Sequence, residues 1–140
     1  MNCSIKREVD VYLAMSRARE LAQLLAFKPA DRTRIEIVIL ELTRNLLAHA
    51  GGGSIRVLQV DDPLHGVGIA VEAQDEGPGI PDIELALRDG FSTAHTLGAG
   101  LPGVRRLMDE FNIESTVGVG TSVRAVKWIA TPQRRAIYGR

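Results

Sequence analysis

In the first quarter of the chain the spacing of apolar positions changes once, from alternation to helical spacing. Residues 4–11 alternate weakly, which predicts a strand. The apolar positions that follow recur at helical spacing as far as Phe27, and Lys28 and Pro29 then interrupt the pattern. A strand followed by a helix is therefore expected here.

A second and longer helix is predicted over residues 32–50, with Asp31 as its N-cap. Its apolar positions fall on one stripe, which consists of Ile35, Val38, Ile39, Leu42 and Leu46. Three consecutive glycines at 51–53 end the pattern, since glycine is the usual residue beyond a helix C-terminus. The stripe predicts that this helix covers a core.

Strand patterns dominate the middle of the chain. Residues 54–60 and 66–74 are rich in β-branched and small apolar side chains and are separated by a short polar segment. They are expected to pair as antiparallel neighbours. A glycine- and proline-rich loop follows the second strand, and residues 82–88 suit a short helix capped by Asp82.

The last third of the chain predicts one helix and one hairpin. LPGVRRLMDEF, residues 101–111, reads as a helix entered through Pro102. Residues 112–116 and 121–128 have strand character and flank a turn at 118–120. These changes of period indicate a mixed α/β domain in which helices cover a sheet.

Length and composition limit the number of domains. A chain of 140 residues with 45% hydrophobic content can bury one sizeable core and is too short for two ordinary domains. Residues 1–130 are therefore expected to form a single domain. Residues 131–140 show no periodicity and predict a mobile C-terminal tail.

The charge balance argues against nucleic acid and membranes as partners. Lys and Arg total 17, equal to Asp and Glu, so the chain as a whole has no electrostatic preference for a polyanion. The single cysteine, Cys3, cannot form an internal disulfide. Neither a secretory signal nor an apolar run of membrane-spanning length is evident, so a cytoplasmic protein is expected.

Candidate chemistry first appears on the second long helix, in the string ELTRN. Glu41 and Asn45 are four residues apart and so share one helical face. A carboxylate beside a carboxamide could provide a proton acceptor and an oxygen ligand for Mg²⁺. The alternative is a solvated polar face, but both residues lie next to the apolar stripe.

The string DEGPG follows the second strand of the predicted pair. Glycine and proline cluster in turns for conformational reasons alone, so a bare turn is one interpretation. The other is that Gly77 and Gly79 let the main chain approach a flat ligand, while Asp75 accepts a hydrogen bond from an exocyclic amine. Adenine offers such an amine, whereas guanine presents a carbonyl.

A third glycine-bearing segment, GAGLPG, immediately precedes the helix predicted over residues 101–111. Backbone N–H groups at a helix N-terminus bind phosphate readily, so Gly98, Gly100, Leu101 and Gly103 are candidates for a phosphate site. The segment follows a polar loop rather than a strand, which excludes a dinucleotide-binding fingerprint, and no Walker pattern occurs.

Taken in order, ELTRN, DEGPG, GAGLPG and the dipeptide Gly120-Thr121 resemble the N, G1, G2 and G3 boxes of the GHKL ATPase superfamily. The resemblance covers the chain from about Glu8 to Trp128. Within the superfamily, AGGGSIRV, DEGPGIPDIELALRDGFST and VGVGTSVRAVKW are most similar to the RsbT-like serine kinases of bacterial partner switching. Similarity to the anti-sigma factor kinases is more distant.

This resemblance implies a fold and a set of site residues. The fold would be a two-layer α/β sandwich of the Bergerat type, with a mixed, mostly antiparallel sheet and helices on one face. Glu41 would be the general base toward a substrate hydroxyl, and Asn45 the Mg²⁺ ligand that reaches the triphosphate of ATP. Asp75 would read the adenine amine.

The glycines and their neighbours receive roles in the same way. Gly77, Gly79 and Ile80 would lie beneath the adenine base, and Thr121 would close that pocket. The phosphate end of a lid would be formed by Gly98, Gly100, Leu101 and Gly103.

The lid itself, residues 89–100, is expected to be open without nucleotide and ordered by ATP. It departs from the family pattern, because Ala94-His95-Thr96 stands where RsbT-like kinases have a glycine-rich run. The lid also contains no lysine or arginine to approach the γ-phosphate. The source of positive charge there is left open by the sequence.

The function implied by the resemblance is an ATP- and Mg²⁺-dependent protein serine/threonine kinase. Its substrate would be a serine or threonine of a STAS-domain antagonist protein, and the released kinase would activate a PPM-type phosphatase. The alternative is a nucleotide-gated anti-sigma factor that sequesters a sigma factor with little catalysis. Co-purification with STAS proteins or with a sigma factor would discriminate between the two.

Overall fold

Five strands and four helices are formed by residues 1–88 and 100–129, which are the residues that the computed structural model describes. The elements are β1 (Asn2–Ile5), α1 (Glu8–Leu24), α2 (Pro29–Ala50), β2 (Gly53–Asp62), β3 (Gly66–Gln74), α3 (Ile83–Ala86), α4 (Gly100–Leu107), β4 (Glu110–Thr116) and β5 (Gly120–Trp128). The expected mobile tail at 131–140, and most of the expected lid, lie outside the described residues.

The first strand is shorter than the weak alternation predicts. It ends at Ile5, and α1 begins at Glu8. The carboxylate of Asp10 accepts hydrogen bonds from the backbone N–H groups of Lys6 and Arg7, both at 2.9 Å. These bonds satisfy backbone donors ahead of the first helical turn, and the helix therefore begins within the stretch predicted as a strand.

The predicted start of the second helix was also wrong. α2 begins at Pro29, with Lys28 as its N-cap, because proline fits the first turn, where its missing N–H is not needed. Asp31 is instead paired with Arg34 at 2.8 Å. At the other end of the chain, α4 stops at Leu107, so the predicted helix over 101–111 was too long.

The five strands form one sheet in the order β1-β2-β3-β5-β4. All four strand pairings in the described residues are antiparallel, and none of them is parallel. β3 is the central strand, and its last residue, Gln74, lies opposite Ser122 of β5. This register places the loop after β3 beside the start of β5.

The main core lies between one face of the sheet and helices α1, α2 and α4. Ile35, Ile39 and Leu42 of the predicted stripe are at most 1% exposed within it. The opposite face carries a small separate cluster of Ala70, Val126 and Trp128. Trp128 is buried in this cluster and stacks on His65, with ring centroids 4.8 Å apart. The arrangement confirms a two-layer α/β sandwich with helices on one face.

The start of α1 gives a pH-dependent prediction. The backbone hydrogen bonds from Lys6 and Arg7 lower the pKa of Asp10 below its ordinary value of 3.8. A carboxylate with a lowered folded-state pKa contributes stability above the unfolded value, and this contribution is lost as pH falls through the folded value. We expect Asp10→Asn to lower the Tm at neutral pH and to differ less from wild type as the pH falls below that ordinary value. Thermal melts that differ equally at every pH would contradict this.

No helix in the described residues is both long enough and apolar enough to span a membrane.

Candidate nucleotide site

A cavity of about 660 Å³ opens between the C-terminal half of α2, the loop after β3 and the start of α4. That volume is in the range of small-molecule sites. Its lining comprises Leu42, Asn45, Leu46, His49, Ala50, Ala73, Asp75, Pro78, Gly79, Ile80, Pro81, Asp82, Leu85, Ala86, Gly100, Leu101, Thr121 and Val123. The cavity therefore brings together seven predicted site residues: Asn45, Asp75, Gly79, Ile80, Gly100, Leu101 and Thr121.

Glu41 is adjacent to this cavity but is not among its lining residues. Its side chain is 1% exposed, and its Oε2 accepts a hydrogen bond from the backbone N–H of Gly100 at 3.2 Å. Its Oε1 is buried with no hydrogen-bond partner among the described residues. A buried carboxylate oxygen without a partner costs stability, so its presence calls for an explanation other than packing.

Asn45 lines the cavity one helical turn beyond Glu41. Its amide makes no hydrogen bond to any of the described residues, and its oxygen can therefore bind a ligand. No group of three or more His, Cys, Asp or Glu side chains in the described ranges could hold a metal ion alone. This donor set fits Mg²⁺ held by one protein oxygen together with phosphate and water, which is a common arrangement for that ion.

His49 also lines the cavity, although it was not among the predicted site residues. It lies four residues beyond Asn45 in the last turn of α2, so the two share a face. Continuing the Glu41–Asn45 spacing by one more turn would have identified it. The lining residues in the described part of the chain include no lysine or arginine.

Asp75 follows the last residue of β3 and is held in one orientation by the backbone. Its Oδ1 accepts hydrogen bonds from the N–H groups of Gly77, at 2.8 Å, and Thr121, at 3.2 Å. The Asp75 N–H donates in turn to the Thr121 carbonyl at 3.0 Å. Since Oδ1 is occupied, Oδ2 is the acceptor that Asp75 can offer to a ligand in the cavity.

The two glycines of DEGPG are required by the protein itself. A Cβ at Gly77 would lie 2.7 Å from the Cβ of Ala50 in α2, and Gly77 is not a lining residue. Gly79 has a φ of +79°, and a Cβ there would lie 2.5 Å from the carbonyl oxygen of Thr116. The expectation that these glycines exist to admit a flat ligand is therefore incomplete, since packing alone excludes side chains there.

The GAGLPG segment divides between the cavity and the core. Gly100 and Leu101 line the cavity at the first turn of α4, with Gly100 at a φ of +70°. Gly103 is buried within α4 and is not a lining residue. Gly98, predicted to contact phosphate, lies outside the described residues, as do His95 and the rest of the lid up to residue 99.

Ser115 is a site residue that the sequence reasoning missed. It lies in β4 directly opposite Thr121 of β5, and the two hydroxyl oxygens are 2.8 Å apart. The Ser115 Oγ also accepts a hydrogen bond from the backbone N–H of Ile80 at 2.7 Å. Ser115 thus joins the loop after β3 to the strand that carries Thr121. The hairpin register around the predicted turn at 118–120 was the signal that could have found it.

Comparison with known proteins identifies the class to which this fold and site belong. The family of histidine kinase-, DNA gyrase B- and HSP90-like ATPases matches residues 30–131. The chain belongs to this ATP-using family, which confirms the resemblance drawn from the four boxes.

Individual relatives are consistent with that assignment. The chain is 47% identical over 125 residues to the serine/threonine-protein kinase RsbT of Bacillus subtilis, a match that covers 89% of this chain and 93% of the relative. It is 34% identical over 100 residues to an anti-sigma F factor of Thermoanaerobacter pseudethanolicus, covering 69% of this chain and 70% of the relative.

Two solved structures share the fold. The first contains the RsbU and RsbW domains of a Mycobacterium tuberculosis protein, with a TM-score of 0.64 and 15% identity, and the match covers 94% of this chain and 33% of the other. The second is the SiaB–SiaC complex of Pseudomonas aeruginosa, with a TM-score of 0.59 and 14% identity, covering 90% of this chain and 89% of the other.

Proposed function

We propose that this chain is an ATP-dependent protein serine/threonine kinase. The observation that carries the proposal is the carboxylate of Glu41, which is 1% exposed, retains one unpartnered oxygen and contacts Gly100 at the edge of the cavity. A buried polar atom without a partner is unfavourable for folding, and a catalytic role is one reason for a protein to retain it. The 47% identity to the kinase RsbT supports the same function.

In this proposal the adenine of ATP lies against Asp75, with Oδ2 accepting from its exocyclic amine. The triphosphate extends along α2 toward Asn45 and the first turn of α4, where backbone N–H groups can bind phosphate. The Asn45 amide oxygen would be the protein ligand of Mg²⁺, which neutralises phosphate charge when bound. Because the described lining lacks lysine and arginine, the positive charge at the phosphates would come mainly from the ion and from backbone dipoles.

Glu41 would take the proton from the substrate hydroxyl as phosphoryl transfer proceeds. Its Oε2 accepts from the Gly100 N–H, the same group that a phosphate at the start of α4 would use. A phosphate that takes this donor therefore releases Oε2 from its hydrogen bond. Nucleotide binding and release of the base would accordingly be coupled.

The substrate class is a serine or threonine on a STAS-domain antagonist protein, as the similarity to RsbT suggests. The kinase, once released from its phosphorylated partner, would activate a PPM-type phosphatase in a bacterial partner-switching pathway. Its location would be the cytoplasm, where ATP and such partners are found. The fold shared with the SiaB–SiaC complex supports the architecture and does not identify a partner.

The test is a transfer assay with purified proteins. The chain is incubated with Mg²⁺, γ-labelled ATP and each STAS-domain protein of the source cell, and phosphoserine and phosphothreonine are located by mass spectrometry. We expect label on one STAS protein, dependent on Mg²⁺ and abolished or strongly reduced by Asn45→Ala. ATP binding without transfer to any of these proteins would contradict the kinase proposal.

A second candidate function is sequestration of a sigma factor, favoured by the 34% identity to anti-sigma F factor over 69% of the chain. In that case the chain would form a stable nucleotide-dependent complex with a sigma factor and transfer phosphate slowly or not at all. Pull-down from the source cell in the presence of ATP separates the two functions, since the kinase proposal expects a STAS protein in the eluate.

A further inference from the structure

The Ser115 hydroxyl occupies a position from which it can control another hydroxyl in the cavity wall. Its Oγ accepts from the Ile80 N–H at 2.7 Å, lies 2.8 Å from the Thr121 Oγ1 and lies 3.3 Å from the Gly120 carbonyl oxygen. Thr121 lines the cavity, whereas Ser115 does not. Ser115 is therefore behind the residue that would meet a ligand.

The number of hydrogen atoms limits what this group can do. A serine hydroxyl has one hydrogen to donate, and here it can go either to Thr121 Oγ1 or to the Gly120 carbonyl. If Ser115 donates to Thr121, the hydrogen of Thr121 is free to point into the cavity. If Ser115 donates to Gly120, Thr121 must donate to Ser115 and can only accept from a ligand.

The contact distances favour the first arrangement. The 2.8 Å separation between the two hydroxyl oxygens is the ordinary length of an O–H···O hydrogen bond and fits either direction of donation, but the 3.3 Å from the Ser115 Oγ to the Gly120 carbonyl oxygen is long, so the Ser115 hydrogen makes the shorter bond when it goes to Thr121. In the first arrangement the cavity presents the acceptor Asp75 Oδ2 beside a donor on Thr121. Adenine has the complementary pair on its Watson–Crick edge, an amine that donates and a ring nitrogen N1 that accepts.

We propose that Ser115 is a positioning residue for base recognition: by donating to Thr121 Oγ1, it makes the Thr121 hydroxyl a donor to the adenine N1. This inference rests on the proposed function, because it requires the base of ATP to lie against Asp75. A Thr121 hydroxyl that donates to N1 would also contribute to the preference for ATP over GTP. Guanine carries a hydrogen on N1, so a Thr121 hydrogen aimed at that position excludes guanine independently of Asp75.

The experiment pairs each variant with ATP analogues that lack one recognition atom. Calorimetry measures the affinity of each protein for three nucleotides. These are ATP itself, 1-deaza-ATP, which has a C–H in place of N1, and purine riboside triphosphate, which lacks the exocyclic amine. Wild type should bind 1-deaza-ATP about tenfold more weakly than ATP, the usual contribution of one well-formed hydrogen bond. In Ser115→Ala the Thr121 hydroxyl keeps its hydrogen but loses the bond that fixes its direction, so this penalty should fall measurably below that of wild type, and Ser115→Thr should restore it.

Other variants separate positioning from a general structural effect. The penalty for purine riboside triphosphate depends on Asp75 and should be unchanged in Ser115→Ala, whereas a distorted pocket would alter both penalties. Thr121→Val keeps the shape of Thr121 and should abolish the 1-deaza penalty. Ser115→Cys, similar in size but only a weak donor, repeats the Ser115→Ala test if that variant is unstable.

The inference is overturned if wild type binds 1-deaza-ATP as tightly as ATP, or if the hydroxyl-deleted variants keep the full penalty. Failure of the proposed function would look different, because wild type would then bind no ATP, or would bind it without transferring phosphate in the assay above. A protein that binds ATP, transfers phosphate and ignores N1 contradicts only the role of Ser115.

Discussion

Replacing Glu41 by glutamine is expected to lower the rate of phosphoryl transfer by roughly 10²- to 10⁴-fold, the usual contribution of a general base. ATP affinity should stay within a few-fold, because Glu41 is not a lining residue of the cavity. The same change removes a buried charge that has an unpartnered oxygen, so the Tm should stay equal or rise. Single-turnover kinetics, calorimetry and thermal melts measure the three effects.

A matched control lies on the same helix. Glu36→Gln also removes a carboxylate from α2, but one that is paired at the surface with Arg19 at 2.7 Å. Its transfer rate should be that of wild type, and its stability should change little, as for other exposed ion pairs. Transfer at the wild-type rate by Glu41→Gln would show that the base is another group.

Asp75→Asn is expected to weaken ATP binding by roughly 10²-fold and to raise the affinity for GTP relative to that for ATP. The backbone N–H groups of Gly77 and Thr121 require an acceptor at the position of Oδ1, so the asparagine oxygen should take that position. Its NH₂ group then replaces Oδ2 and faces the adenine amine, donor against donor. The guanine carbonyl would accept from that group, which relaxes the discrimination without reversing it.

Calorimetry with both nucleotides measures this second effect. Asp61→Asn provides the control, because Asp61 lies near the far end of β2 and is not a lining residue of the cavity. Its affinities for ATP and GTP should equal those of wild type. Wild-type protein that binds ATP and GTP equally would remove the assignment of Asp75 to the adenine amine.

Much of the fold could be predicted from the spacing of apolar residues. The stripe on α2, the strands on either side of residues 61–65 and the closing hairpin all have the predicted type, because burial of one face dictates their period. The element ends were less accurate. The start of α1 depends on hydrogen bonds that the Asp10 side chain accepts from the backbone, and the start of α2 depends on Pro29. These local features outweigh a weak alternation of apolar and polar positions.

The candidate site was predictable where one element carries the residues. Asn45 is found from its helical spacing, and Asp75 from its position directly after a strand. Ser115 was not found, because its importance depends on the cross-strand register that places it opposite Thr121. The hydrogen bond from the Gly100 N–H to the Glu41 carboxylate could not be predicted either, since the two residues are 59 positions apart in the sequence.

The close packing of Gly77 on Ala50 and of Gly79 on Thr116 affects how a base would bind. A loop that is pressed against a helix and a strand has already lost most of its conformational entropy when the chain folds. That end of the cavity is therefore pre-organised, and a base entering it has little further ordering to impose. Differences in affinity among variants should then appear chiefly in dissociation rates, because entry does not have to wait for the loop to rearrange.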